Sequence, residues 1–66
     1  MLSEAQQAHL DRAIYPLALA QAREPDTRRN REIAASDYWL FLKSGGGTDD
    51  EAVTALARGM RACDAR

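Results

Sequence analysis

Tyr38-Trp39-Leu40-Phe41-Leu42 is a run of five large apolar side chains near the middle of the chain, and it holds three of the four aromatic residues. Successive helical residues are turned by roughly 100°, so such a run wraps around a helix instead of keeping to one side. A small monomer has no way to bury all of it. The surrounding sequence is rich in Ala, Leu, Arg, Glu and Asp and poor in β-branched residues, which favours helix over strand. A helix that is apolar over most of its circumference is either central in a larger assembly or carries a contact surface.

The boundaries of this helix follow from its flanks. Downstream, Ser44-Gly45-Gly46-Gly47 ends it, because three glycines in a row give up helix propensity and allow positive φ. Upstream, Asp26 or Thr27 can cap its start, which gives a predicted helix over 27–43. Thr48 then caps another helix, with Glu51 completing a capping box and Asp49 and Asp50 loading the first turn with charge that suits the helix dipole. Val53, Leu56, Ala57, Met60 and Cys63 mark one apolar face of this helix over 49–64, with Thr54, Arg58 and Arg61 on the other side. Gly59 lies at the edge of the apolar face and Ala55 one turn earlier is also small, so either a neighbouring backbone approaches closely there or the glycine is simply tolerated near the helix end.

The first helix is predicted over 3–24. Ser3 and Gln6 form its capping box, and Leu10, Ala13, Ile14 and Leu17 recur at helical spacing. Pro16 removes one amide donor and clashes with the carbonyl of Arg12, so a kink is expected there, and Pro25 stops the helix. Ala8, Tyr15, Leu19 and Ala22 form a second, weaker stripe nearly opposite the first. In the middle helix Ala34, Tyr38, Phe41 and Leu42 share one side, Ile33 and Leu40 widen the arc, and Trp39 projects away. Asp37 falls inside that arc, where it either reaches solvent at an edge or needs a cationic partner. The expected fold is therefore all-α: three short helices in one domain spanning residues 1–66.

At 66 residues the chain buries only about 60% of the surface its unfolded form exposes. Cys63 is the single cysteine and His9 the single histidine, so neither an internal disulfide nor a four-ligand zinc site can be built, and no cofactor is expected. Oligomerisation is the remedy left. A helical homodimer is the expected assembly, with Ile33, Leu40, Tyr15 and Leu19 as self-association residues. The lone thiol and the absence of a basic, apolar leader at Met1-Leu2-Ser3-Glu4 suggest a reducing cytoplasm. No stretch approaches the ~20 apolar residues that span a bilayer.

Catalytic signatures fail one by one. Cys63 and His9 are the only nucleophile–base candidates, and both sit at apolar helical positions that suit packing. Asp49, Asp50 and Glu51 are sequential and point in different directions on a helix, unlike the alternating ligands of a calcium loop. Lys43-Ser44-Gly45-Gly46-Gly47-Thr48 has the letters of a phosphate loop in the wrong order, and acidic residues follow it.

Arg28, Arg29 and Arg31 form the only basic cluster, at a helix start where positive charge is unfavourable. They are expected to meet an acidic partner or to pair with Glu24, Asp26 and Glu32. With Asn30 and Ala34-Ala35 they partly resemble the DNA-contact segment of a basic zipper, with the alanines one position out of register and no leucine heptads following. The net charge of −1 gives little pull toward nucleic acid.

The function expected from these features is a small non-enzymatic interaction module that binds and modulates, chiefly by inhibition, a larger protein, in the manner of an anti-activator, adaptor or phage-encoded inhibitor. Tyr38, Trp39, Phe41 and Leu42, flanked by Arg28, Arg29 and Arg31, are its expected partner-binding residues. The competing expectation is a dimeric DNA-binding regulator that sets the three arginines on phosphates.

Overall fold

The computed structural model describes residues 1–64. They are helical throughout apart from short connections, with no strand among the described residues. The elements are α1 (Glu4–His9), a π-helical turn (Leu10–Ile14), α2 (Tyr15–Ala22), α3 (Arg28–Lys43) and α4 (Asp49–Asp64). α1, the π turn and α2 run on without a break, so the described chain folds as three helical arms.

Capping chemistry sets the ends. The Ser3 hydroxyl accepts from the Gln6 amide at 3.1 Å while the Gln6 side chain accepts from the Ser3 amide at 2.9 Å. Thr27, and not Asp26, caps α3, its hydroxyl accepting from the Asn30 amide at 3.1 Å. The Thr48 hydroxyl accepts from the Glu51 amide at 3.3 Å at the head of α4. α3 closes in a Schellman turn: the Gly46 amide donates to the Phe41 carbonyl at 3.0 Å and the Gly45 amide to that of Leu42 at 3.2 Å, with Gly45 at φ 99°.

The same closure ends α2, without a glycine. The Glu24 amide donates to the Leu19 carbonyl at 3.2 Å and the Arg23 amide to that of Ala20 at 3.3 Å, with Arg23 left-handed at φ 57°. The helix therefore stops at Ala22, two residues short of the expected 24. A side chain in this conformation costs about 1 kcal/mol. Glycine would relieve that but gains freedom in the unfolded chain, so Arg23→Gly is expected to stabilise by about 0.5 kcal/mol. Thermal unfolding followed by circular dichroism should show a midpoint about 2–4 °C higher.

The kink expected at Pro16 takes the form of the π turn just before it. The Tyr15 amide donates to the carbonyl of Leu10, five residues back. Pro16 has no amide hydrogen, and in α geometry its ring would press on the Arg12 carbonyl; a wider turn upstream accommodates both. The extra residue in the turn also slips the helical phase by about one position. Leu10 and Ile14 are buried as expected, but below the turn the buried positions are Tyr15, Ala18 and Ala22, and Leu17 is 57% exposed. The upper half of one expected stripe and the lower half of the other thus meet on a single side.

α4 packs against α2, α3 and the π turn. The largest fully buried side chains are Leu10, Ile14, Leu56 and Met60, and Ala18, Ala22, Ala34, Ala52 and Ala57 fill much of the remaining interior. Alanine at the contacts lets the helices approach closely, at the expense of apolar area per residue. Asn30 is the one buried polar side chain among the described residues. Its amide donates to the Pro25 carbonyl at 2.8 Å and so ties the α2–α3 connection to the start of α3.

Candidate interaction surface

The aromatic run divides between interior and exterior. Tyr38 is 5% exposed and belongs to the core, with Phe41 stacked against it at 6.4 Å between ring centroids. Burial pushes the Tyr38 hydroxyl up from its ordinary pKa. Phe41 and Leu42 are partly buried and pack against the same core. Tyr38 is thus a scaffold residue: Ala34 and Tyr38 are buried in the core, whereas Leu42 also borders the cleft beside Trp39 and Lys43.

Trp39 and Leu40 lie on the outer side, turned from each other by roughly 100°. Leu40 is 55% exposed. Trp39 is partly buried beside a largely apolar cleft, formed with Met1, Leu2, Gln7, Ala35 and Ser36, where the chain start meets α3. The Lys43 ammonium stands 4.6 Å from the centre of its ring, a cation–π contact one helical turn away. The sequence reading missed this participation of Met1, Leu2 and Lys43; only the Trp39–Lys43 spacing of four gave a signal for it.

Of the residues assigned to self-association, Leu40 is exposed and Ile33 is partly buried against the core. Tyr15 and Leu19 face inward: Tyr15 is 6% exposed and Leu19 packs on the buried cluster. The π turn is the cause, since it rotates both onto the core side. The Tyr15 hydroxyl donates to Asp26 at 3.1 Å, and the Arg31 guanidinium lies 5.8 Å from its ring centre.

The arginine cluster is neutralised within the chain. Arg28 pairs with Glu32 at 3.2 Å, one turn along α3. Arg29 reaches the end of α4, donating to Asp64 at 3.3 Å and to the Cys63 carbonyl at 2.8 Å, where a cation suits the helix C-terminus. Arg31 grips Asp26 with two bonds of 2.7 Å. Asn30, which partly fitted a DNA-contact segment, has its amide committed to Pro25.

The Arg31 guanidinium is the main reason that the Asp26 carboxyl sits below its ordinary value of 3.8. A carboxyl whose pKa is lower in the folded chain contributes stability that is present above its unfolded value and lost as pH falls through the folded one. Wild type should therefore exceed Asp26→Asn in stability at about pH 6, and the difference should shrink below 3.8. Urea unfolding of both proteins across that range, down to about pH 2, checks it.

His9 and Cys63 do not meet. The His9 ring contacts the Asp49 carboxylate at 3.1 Å, at the head of α4, whereas Cys63 lies at its tail, roughly 21 Å further along at 1.5 Å per residue. The Glu51 carboxylate lies against Gly47 of the glycine connection, which sets a negative charge beside that loop. Among the described residues no group of three or more His, Cys, Asp or Glu side chains could hold a metal ion, and no helix is long and apolar enough to cross a membrane. Asp37 is partly buried on α3 and lies directly over Gly59 of α4. Burial raises its carboxyl above the ordinary value.

No protein-family model, curated protein or solved structure matches the chain.

Proposed function

We propose that this chain is a small, non-enzymatic, cytoplasmic interaction protein that binds a larger protein and modulates it, chiefly by blocking a surface, and that it works as a homodimer. The observation that carries the reading is Trp39: the chain's one tryptophan stands on the outer side of α3, beside an apolar cleft and away from the stacked Tyr38 and Phe41. Tryptophan is among the residue types most enriched at interface hot spots. The contact surface proposed is Trp39 with Leu42, Lys43 and Leu2. Tyr38 serves it by fixing the pitch of α3, and Phe41 by packing beneath.

The ion pairs of Arg28, Arg29 and Arg31 favour a protein partner over DNA, because phosphate binding would have to compete with Glu32, Asp64 and Asp26. Immobilised wild type and Trp39→Ala, each challenged with an extract of the source cells, test the reading. The expected result is a larger protein retained by wild type and lost by Trp39→Ala. Retention of duplex DNA instead, falling steeply with salt, would replace this reading with that of a DNA-binding regulator.

A further inference from the structure

On the outside of the α3–α4 pair runs an open groove walled by Leu40, Phe41, Ala55 and Gly59, with Asp37 and Arg58 also lining it. Its open floor is Ala55, which offers only a methyl, because the Asp37 carboxylate fills the space over Gly59 one turn along α4. Asp37 and Arg58 enter no ion pair with a described residue, in contrast to Arg28, Arg29 and Arg31. Arg58 also borders Asp50, Glu51 and Thr54, so it stands on the wall away from α3, whereas Asp37 lies on the α3 side over Gly59.

We propose that this groove is where a second copy of the chain docks, about a two-fold axis, with Leu40 of each copy seated over Ala55 of the other and Arg58 of each copy against Asp37 of the other. The inference deepens the homodimer part of the functional reading and rests on it.

The charges choose the occupant. A patch of one sign would select a foreign partner of the opposite sign. A patch with one anion and one cation on opposite walls is complementary to itself after a two-fold rotation, because the rotation sets each charge against its opposite. Shape has the same property: the exposed knob, Leu40, and the small-residue floor that would receive it lie side by side on neighbouring helices. Asp37 gains most, since its carboxylate is partly desolvated with no ion-pair partner among the described residues, and a guanidinium from the second copy offsets that penalty. The Ile33–Asp37–Leu40 spacing puts Ile33 on the same stripe of α3, one turn from Asp37.

Charge reversal gives a test with internal rescue, read as solution mass by light scattering from micromolar to near-millimolar concentration. Wild type is expected to dimerise as concentration rises. Arg58→Glu alone and Asp37→Lys alone each place like charges together twice in the dimer, so each is expected to remain monomeric or to dimerise at least about tenfold more weakly, since close like charges across an interface repel. Mixed one to one they are expected to form a heterodimer, because both charge contacts become attractive again. Leu40→Glu, at an exposed position, is expected to be a folded monomer, and Trp39→Ala to dimerise as wild type does.

A wild type that stays monomeric overturns the inference. So does unweakened dimerisation of Arg58→Glu or Leu40→Glu, a mixture of folded variants that fails to associate, or a Trp39→Ala variant that no longer dimerises. Should Asp37→Lys fail to give a helical circular dichroism spectrum, Arg58→Glu and Leu40→Glu decide alone. Capture of a larger protein that depends on Trp39 but persists in Arg58→Glu keeps the two readings apart: loss of self-association with capture intact removes only the groove.

Discussion

Leu56→Ala is expected to abolish cooperative thermal unfolding at ordinary temperatures. Leu56 is fully buried on α4, the helix that packs against α2, α3 and the π turn. Truncating such a leucine costs about 2–5 kcal/mol, part of it lost transfer energy and part the cavity left behind. A domain of this size has a core that rarely supplies more than about 3–5 kcal/mol in total. The comparison decides the outcome, because the loss is as large as the margin. Alanines fill much of the remaining interior, so few large side chains besides Leu10, Ile14 and Met60 border the space left. Leu56→Met, which keeps the volume, should cost less than about 1.5 kcal/mol and retain the transition. Circular dichroism melts of the two variants beside wild type check both halves. A Leu56→Ala protein that melts near the wild-type midpoint would mean that α4 is not the centre of the core.

Trp39→Ala is expected to act on binding and to leave the fold standing. Trp39 is partly buried at the rim of a cleft and outside the buried cluster, so its removal deletes no part of the core. Truncation of a hot-spot tryptophan costs about 2 kcal/mol or more, which is roughly a thirtyfold weaker complex. Tyr38→Ala, one residue away, should do the opposite: Tyr38 is buried and stacked on Phe41, so its loss should cost about 3 kcal/mol and unfold the chain. The pair forms an internal control, since neighbours in sequence, turned by roughly 100° on α3, are assigned to the core and to the surface respectively. Titration of the captured partner against wild type and Trp39→Ala, together with unfolding curves for all three proteins, checks the assignment.

Much of this architecture was legible because it is local. Ser3 with Gln6, Thr48 with Glu51, and the glycines after Lys43 are chemical signals that act within one helical turn, and the structure uses each of them. The face of α4 was legible for the same reason, since nothing interrupts its period from Val53 to Met60. α1 and α2 were not, because the π turn is a break in the period itself. Once the phase slips before Pro16, Leu17 turns out to solvent, Tyr15 is buried and Leu19 packs partly buried on the core. The proline was visible in the sequence; whether the helix would meet it by a kink or by an extra residue depends on what α4 packs against.

The arginines divide along the same line. Asp26 and Glu32 are near Arg31 and Arg28 in sequence and could be named as partners in advance. Asp64 could not, because Arg29 reaches it only once α3 and α4 lie together. Asp37 stood inside the apolar arc on spacing alone, but its place over Gly59 is a matter of helix packing. The split of the aromatic run follows from the same cause: spacing shows that five successive side chains cannot all face inward, and only the position of α4 selects Tyr38 as the one buried most deeply.

The most direct measurement on the central claim is photo-cross-linking from position 39. A photoreactive aromatic amino acid in place of Trp39, in the full chain expressed in its source cells, reports whatever touches the outer side of α3. The expected result is an adduct between the chain and one larger protein, which disappears when unlabelled wild type competes. No protein adduct in a chain shown to be folded, or an adduct to nucleic acid alone, would contradict it.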